Sequence, residues 1–112
     1  MHSVCVQIVR FTDPSFPGWV ECQLRDASGR EWMFLDKVPV FTNSFLDAAS
    51  TYPQTGIVAC EILREWTDAD GRARCEITTE RPWGIEANGG ETKFEIFREQ
   101  LASKTAEPSD AG

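Results

Sequence analysis

The sequence predicts an all-β fold, a small antiparallel barrel of six or seven strands. Short runs of β-branched and aromatic residues recur along the chain, Asp-x-x-Gly turns join two pairs of these runs, and a single stretch has helical character. The 112 residues are enough for one domain. We expect residues 1–102 to form that barrel domain.

Residues 4–11 are predicted to form the first strand. Val and Ile alternate on one of its faces, and apolar residues partly fill the other. A strand that is apolar on both sides is usually central or part of a closed barrel. Two prolines within residues 12–18 end the strand, because proline cannot donate to a sheet ladder. Phe16 lies between these prolines, either as an exposed contact or, in the favoured interpretation, as a plug for one end of the core.

Residues 19–25 and 30–37 are predicted to pair as a β-hairpin. Asp26 and Gly29 occupy the first and fourth positions of a type I turn followed by a left-handed glycine. Because this turn fixes the register, alternate apolar residues of the two strands are expected to share one face. The predicted facing pairs are Cys22 with Phe34 and Leu24 with Trp32.

Residues 44–50 are the predicted helical segment. Ser44 is a candidate N-cap, and Asp47 stands three residues later, where a capping box places an acid. Pro53 ends the segment because it cannot continue a helix. We expect one or two helical turns here, closing an end of the barrel.

Residues 56–66 and 72–80 are predicted to form a second, longer hairpin around an Asp-Ala-Asp-Gly turn. A helix through 57–66 is the weaker alternative, because β-branched residues open this segment and no strong cap precedes it. Placing Asp68 opposite Arg72 puts the apolar residues of strand 56–66 on two different faces. A bulge in that strand would bring them back to one face. In that register the facing pair is Leu63 with Ile77.

The two hairpins share a sequence pattern. A Gly-x-Val-x-Cys-x-Leu strand and an Asp-Ala-x-Gly-Arg turn occur within residues 18–30, and a close copy with longer arms occupies residues 56–72. Duplication would give the barrel an approximate two-fold symmetry. Convergence explains the likeness equally well, since hairpins favour these residues in any case.

Residues 92–97 are predicted to form the last strand, with Leu101 as the last ordered anchor. Residues 103–112 contain no large apolar side chain to bury, so we expect a disordered tail there. By strand count alone, the predicted barrel resembles OB-type modules and the barrel domains of translation elongation factors. No motif in the chain ties it to either family.

The charge balance limits the classes of partner. Eleven basic and 18 acidic residues give a net charge of −7, which opposes binding to nucleic acid and to anionic membranes. No apolar run approaches the roughly 18 residues of a membrane span. Residues 1–5 lack the basic and apolar regions of a secretory signal. A cytoplasmic location is therefore expected.

Neither catalytic residues nor a metal or cofactor site is predicted. The single histidine, His2, lies beside the end of the chain, where it is poorly held for a role as general base. The acids, including Glu61 and Glu65, are expected to be solvated, because a barrel of this size has little room for a deep sugar cleft. The cysteines lack zinc or redox spacing and are expected to be reduced core residues: Cys5, Cys22, Cys60 and Cys75.

The aromatic residues supply the candidate binding site. Trp19 and Trp83 stand next to proline and glycine, in loop-like settings where an indole often anchors an interface. Arg81 is close to Trp83 in sequence, and Phe16 is the fourth candidate. The favoured interpretation, however, is that both indoles cap the open ends of the barrel.

These features predict a non-enzymatic protein-interaction module, an immunity-type inhibitor or an accessory subunit with an unidentified protein partner. The absence of a catalytic set, the acidity and the loop tryptophans support this prediction. The alternative is a barrel that binds a small ligand or a nucleotide and has weak enzymatic activity.

Overall fold

The computed structural model describes residues 1–102 and contains a six-stranded antiparallel sheet. The sheet curls into a half-barrel, and its strands lie in the order β3-β2-β1-β4-β5-β6. The predicted all-β class is confirmed, and the tail predicted for 103–112 lies outside the described residues. The strands are β1 (His2–Asp13), β2 (Trp19–Arg25), β3 (Glu31–Lys37), β4 (Gln54–Thr67), β5 (Ala73–Thr78) and β6 (Lys93–Phe97).

The curl brings the two edge strands, β3 and β6, against each other. Phe94 of β6 packs on Trp32 and Phe34 of β3, with ring centroids 5.3 and 5.7 Å apart. The backbone N–H of Ala27, in the β2–β3 turn, donates to the carbonyl of Glu95 at 2.9 Å. These contacts cover apolar surface and backbone groups that an open sheet edge would expose.

One hydrophobic core fills the concave side of the sheet. Every strand contributes, because alternate residues point inward along a β-strand. Cys22, Cys60 and Cys75 are buried in this core as predicted, whereas the prediction is wrong for Cys5, which is half-buried on the other face of β1. Fully buried side chains from all six strands meet there, among them Val4, Ile8, Val20, Leu24, Phe34, Val58, Ile77 and Ile96.

The register of the β2–β3 hairpin is the predicted one. Cys22 faces Phe34 and Leu24 faces Trp32. The turn closes through the backbone N–H of Asp26, which donates to the carbonyl of Arg30 at 2.8 Å. Turn chemistry and the period-two pattern each specified this pairing, and both are confirmed.

The β4–β5 hairpin contains the predicted bulge, at Leu63. Ile62 faces Ile77 and Arg64 faces Glu76, so Leu63 has no facing residue. The predicted pairing of Leu63 with Ile77 is therefore wrong by one residue. The extra residue keeps Ile62 on the core side and leaves Leu63 exposed. The bulge therefore explains how consecutive apolar residues of one strand lie on different faces of the sheet.

The helical turn of the chain is α1 (Val38–Phe41), not the predicted segment 44–50. Pro39 lies in its first turn, where a fixed φ and a missing N–H cost nothing. Residues 44–50 instead form a bend and a tight turn built on Asp47. Its carboxylate accepts the backbone N–H of Ala49 at 2.9 Å, a local bond that competes with helix formation.

The C-terminal part of the described chain returns to β1. A 3-10 turn over Arg98–Gln100 follows β6, and Leu101 then bridges Val4, which confirms Leu101 as an anchor. Both helical segments of residues 1–102 are only three or four residues long, and neither could cross a membrane.

Candidate functional site

The antiparallel order segregates the connections between strands. The three longer connections, 14–18, 38–53 and 79–92, leave and enter the sheet at one end of the half-barrel, which we name the loop end. The two tight turns, 26–30 and 68–72, lie at the opposite end, which we name the turn end. Any surface shared by the longer connections is therefore at the loop end.

Each connection at the loop end exposes an aromatic side chain. Phe16 is 96% exposed, Phe45 is 84% exposed and Trp83 is 56% exposed. Burying a side chain of this size stabilises a protein by about 1.5–3 kcal/mol. Each of the three exposed side chains therefore leaves this stabilisation of the fold unused. Among the described residues, these three are the only aromatics with large exposure.

Phe16 is exposed to solvent, and its favoured interpretation as a plug is wrong. The Asp13 carboxylate accepts the backbone N–H of Ser15 at 2.8 Å, and the Gly18 N–H donates to the Ser15 carbonyl at 2.7 Å. This tight turn points Phe16 into solvent. Phe11 fills the space near the core instead, and its ring approaches Gly18 so closely that a Cβ there would lie 2.8 Å away.

Trp19 is half-buried on the outer side of the sheet at the loop end. It faces Lys37 across the β2–β3 ladder, and the Lys37 ammonium lies 5.7 Å from the centroid of the indole. The Thr12 hydroxyl donates to the Trp19 carbonyl at 3.2 Å. The indole is therefore partly covered by a cation of its own chain.

Arg81 is bound to β4 and is not stacked on Trp83. Its guanidinium Nε donates to the Glu61 carboxylate of β4 at 2.8 Å, and this bond raises the pKa of Arg81 above its ordinary value. Both partners are half-exposed, so the ion pair itself contributes little to stability. Arg81 is placed to hold the start of the 79–92 connection against β4.

Trp83 forms a wall of a shallow groove between the end of β3 and the 79–92 connection. The groove has a volume of about 390 Å³. Ile85 is held in place because its N–H donates to the Thr79 carbonyl at 2.9 Å and the Thr79 hydroxyl donates back to the Ile85 carbonyl at 2.5 Å. The groove is lined by Asp36, Lys37, Pro39, Val40, Trp83 and Ile85.

The charge at the loop end is predominantly acidic. The carboxylate of Asp36 accepts the neighbouring Lys37 N–H at 2.8 Å, and within residues 1–102 it has no ion pair. Arg81 is the one basic residue of the three connections. Their acids are Asp47, Glu80, Glu86 and Glu91.

The buried thiols are held in the protonated form. Burial raises the pKa of Cys22 to about 12 and that of Cys60 to about 12, so neither is a thiolate at neutral pH. In the part of the chain that the structure describes, no three His, Cys, Asp or Glu side chains are grouped as metal ligands. The groove offers one indole, aliphatic surface, one carboxylate and the side chain of Lys37 as binding groups.

The structure brings the four predicted residues to the loop end without joining them in one pocket. Phe16 and Trp83 are exposed there, Trp19 lies beside Lys37, and Arg81 points to β4. Sequence reasoning missed Phe45, because it was placed in a predicted helix. Its neighbour Leu46 is buried, and that contrast requires the fold. No family model, curated protein or solved structure matches this chain.

Proposed function

We propose that this protein is a non-enzymatic protein-interaction module, an immunity-type inhibitor or an accessory subunit, that binds another protein through its loop end. The main observation that supports this proposal is the exposure of Phe16, Phe45 and Trp83, one from each connection at that end. Exposed aromatic side chains are typical of interfaces, where a few of them supply most of the binding energy.

The loop end is braced by its own hydrogen bonds, which supports a preorganised interface. The Val38 N–H donates to the Gly18 carbonyl at 2.9 Å and joins the first connection to α1. The Tyr52 hydroxyl donates to the Asp47 carbonyl at 2.8 Å within the second connection. Braced loops lose less conformational entropy on association than free ones, so more of the contact energy appears as affinity.

The net charge of −7 supports a partner with a basic surface. Complementary charge raises the association rate and suppresses binding to acidic proteins. A cytoplasmic location belongs to the same proposal, because the four free cysteines suit a reducing compartment.

A barrel that binds a small ligand or a nucleotide is the less supported alternative. The concave side of the sheet is occupied by buried side chains from all six strands. The groove beside Trp83 is shallow and lies outside this core, and its unpaired carboxylate repels phosphate.

The test is affinity capture from native lysate followed by mass spectrometry. The full chain is compared with the triple variant Phe16→Ala, Phe45→Ala, Trp83→Ala. Leu35→Ala is the matched control, because Leu35 is an exposed apolar residue on the outer side of β3. We expect the wild type and the control to capture the same protein and the triple variant to lose it. Failure to recover a reproducible partner, or equal capture by the triple variant, would contradict the proposal.

A further inference from the structure

Trp83 differs from the other three tryptophans in what lies against its ring. Each of the others carries a cation of this chain, at 4.0 to 5.7 Å from the ring centroid: Arg30 on Trp32, Arg64 on Trp66 and Lys37 on Trp19. Within residues 1–102, no Arg or Lys lies over Trp83, although its side chain is 56% exposed. The nearby Arg81 is held by Glu61 instead.

Asp36 adds an uncompensated negative charge to the same groove. The carboxylate is half-buried and accepts the Lys37 N–H, but within the described chain it forms no ion pair. Lys37 also lines the groove, and its ammonium lies 5.7 Å from the centroid of the Trp19 ring. An aromatic face and a carboxylate, both without a basic side chain paired to them, therefore line one depression.

We propose that this groove binds an arginine side chain of the partner protein, with the guanidinium on the Trp83 indole and paired with the Asp36 carboxylate. The inference rests on the proposed function, because it assigns a specific contact to the loop end. Arginine suits both groups, since its planar guanidinium stacks on aromatic rings and donates paired hydrogen bonds to carboxylates. The aliphatic walls contributed by Pro39, Val40 and Ile85 match its methylene stem.

Charge complementarity selects this occupant over others. A nucleic acid or another polyanion would meet Asp36 and the acids of the three connections. A second copy of this chain would bring a net charge of −7 to a surface that is already acidic. A basic segment of a different protein would meet neither of these charge repulsions.

The experiment follows the four indole N–H signals of the nitrogen-15-labelled full chain by NMR. The signals are assigned with single Trp→Phe variants. The probe is the peptide acetyl-Gly-Arg-Gly amide, and its controls replace arginine with citrulline, which is neutral and similar in shape, or with lysine. We expect the Trp83 signal to move and saturate with the arginine peptide, and to require at least about fivefold more citrulline peptide, because the cation–π and ionic contacts are lost.

Variants of the protein separate the groove from general charge attraction. Asp36→Asn is expected to weaken binding of the arginine peptide about threefold, the size of a partly exposed ionic contact. Asp70→Asn removes the same charge from the turn end, where Asp70 is exposed, and is expected to leave binding unchanged.

Four results would overturn the arginine site. These are an unmoved Trp83 signal, equal binding of the citrulline or the lysine peptide, equal weakening by the two Asn variants, and a Trp83 signal that shifts with protein concentration alone. The last would show that a second copy occupies the groove. If the triple variant loses its captured partner while the arginine peptide leaves Trp83 unmoved, the protein-interaction proposal stands and only the arginine site fails.

Discussion

The β2–β3 and β4–β5 hairpins close their turns in the same way and meet different surroundings. In the first, one carboxylate oxygen of Asp26 accepts the backbone N–H groups of Ser28 and Arg30, each at 2.9 Å. The other oxygen accepts the indole N–H of Trp32 at 2.9 Å. The donor to this second oxygen is therefore a neutral indole N–H at the edge of the core.

In the second hairpin, Asp68 repeats the pattern. One carboxylate oxygen accepts the backbone N–H groups of Asp70 and Arg72, each at 2.9 Å. The other accepts the guanidinium Nε of Arg74 at 2.7 Å. Here a charged donor on the outer side of the sheet takes the place of the indole.

The difference follows from what each turn docks against. The first turn contacts β6 through Ala27, and the Gln100 side chain donates to the Arg25 carbonyl at 2.8 Å behind it. In the second turn, Asp68 is half-buried and residues 69–72 are exposed. The Asp-x-x-Gly-Arg pattern therefore determines the local backbone, whereas the position of the hairpin in the sheet determines which side chain the second oxygen meets.

Among the substitutions that test this comparison of the two turns, loss of Asp26 is expected to destabilise the protein most. Asp26→Ala removes four acceptor contacts and leaves the half-buried indole N–H of Trp32 without a partner, so we expect a loss of about 2–3 kcal/mol in the free energy of unfolding. Asp68→Ala is expected to cost less, because the released N–H groups of Asp70 and Arg72 belong to exposed residues and reach water, and Arg74 retains a second carboxylate, that of Glu95 at 3.9 Å. Urea denaturation of both variants measures the difference, and a greater loss for Asp68→Ala would contradict the comparison.

A smaller effect is expected from changing the donors. Trp32→Phe removes one hydrogen bond from a neutral donor to the Asp26 carboxylate and should cost about 1–2 kcal/mol, with little dependence on salt. Arg74→Gln should cost at most about 1 kcal/mol, and less at high salt, because the ion pair is screened. Denaturation at low and high ionic strength measures both. Equal salt dependence of the two variants would show that the donors are equivalent.

The smallest expected effect is on the pH dependence of stability. Burial raises the pKa of Asp26, but bonds from Trp32, Ser28 and Arg30 outweigh it and leave the pKa below its ordinary value. Its contribution is therefore present above the unfolded pKa of about 3.9 and lost as the pH falls through the lower folded pKa. Asp26→Asn should lose less unfolding free energy than the wild type as the pH falls from 5 to 3. Parallel profiles from denaturation at both values would refute this.

Sequence reasoning succeeded where a local signal and a long-range pattern agreed. The Asp26 turn and the alternation of apolar residues specify one register for β2 and β3, and the structure has it. It failed where a local signal stood alone. Ser44 and Asp47 match a capping box, but without an apolar helical stripe the acid bonds to Ala49 in a tight turn instead.

The sequence predicted the candidate site less well than it predicted the fold. Proline and glycine neighbours correctly marked Trp83 as a loop residue, yet whether an aromatic in a loop is buried depends on the elements that close around it. Phe11 takes the position near the core expected for Phe16, and Leu46 is buried while Phe45 is not. The sequence does not encode that choice in a short pattern, because both members of each pair are apolar.

The pairing of Leu101 with Val4 has a practical consequence for handling the protein. The Ala102 N–H donates to the Ser3 carbonyl at 2.8 Å, so the first and last described residues leave the sheet side by side, at the turn end. A tag or surface tether attached at residue 1 therefore projects from the end opposite Phe16, Phe45 and Trp83. A chain immobilised in this way presents those aromatics to the solution and gives the capture experiment a defined orientation.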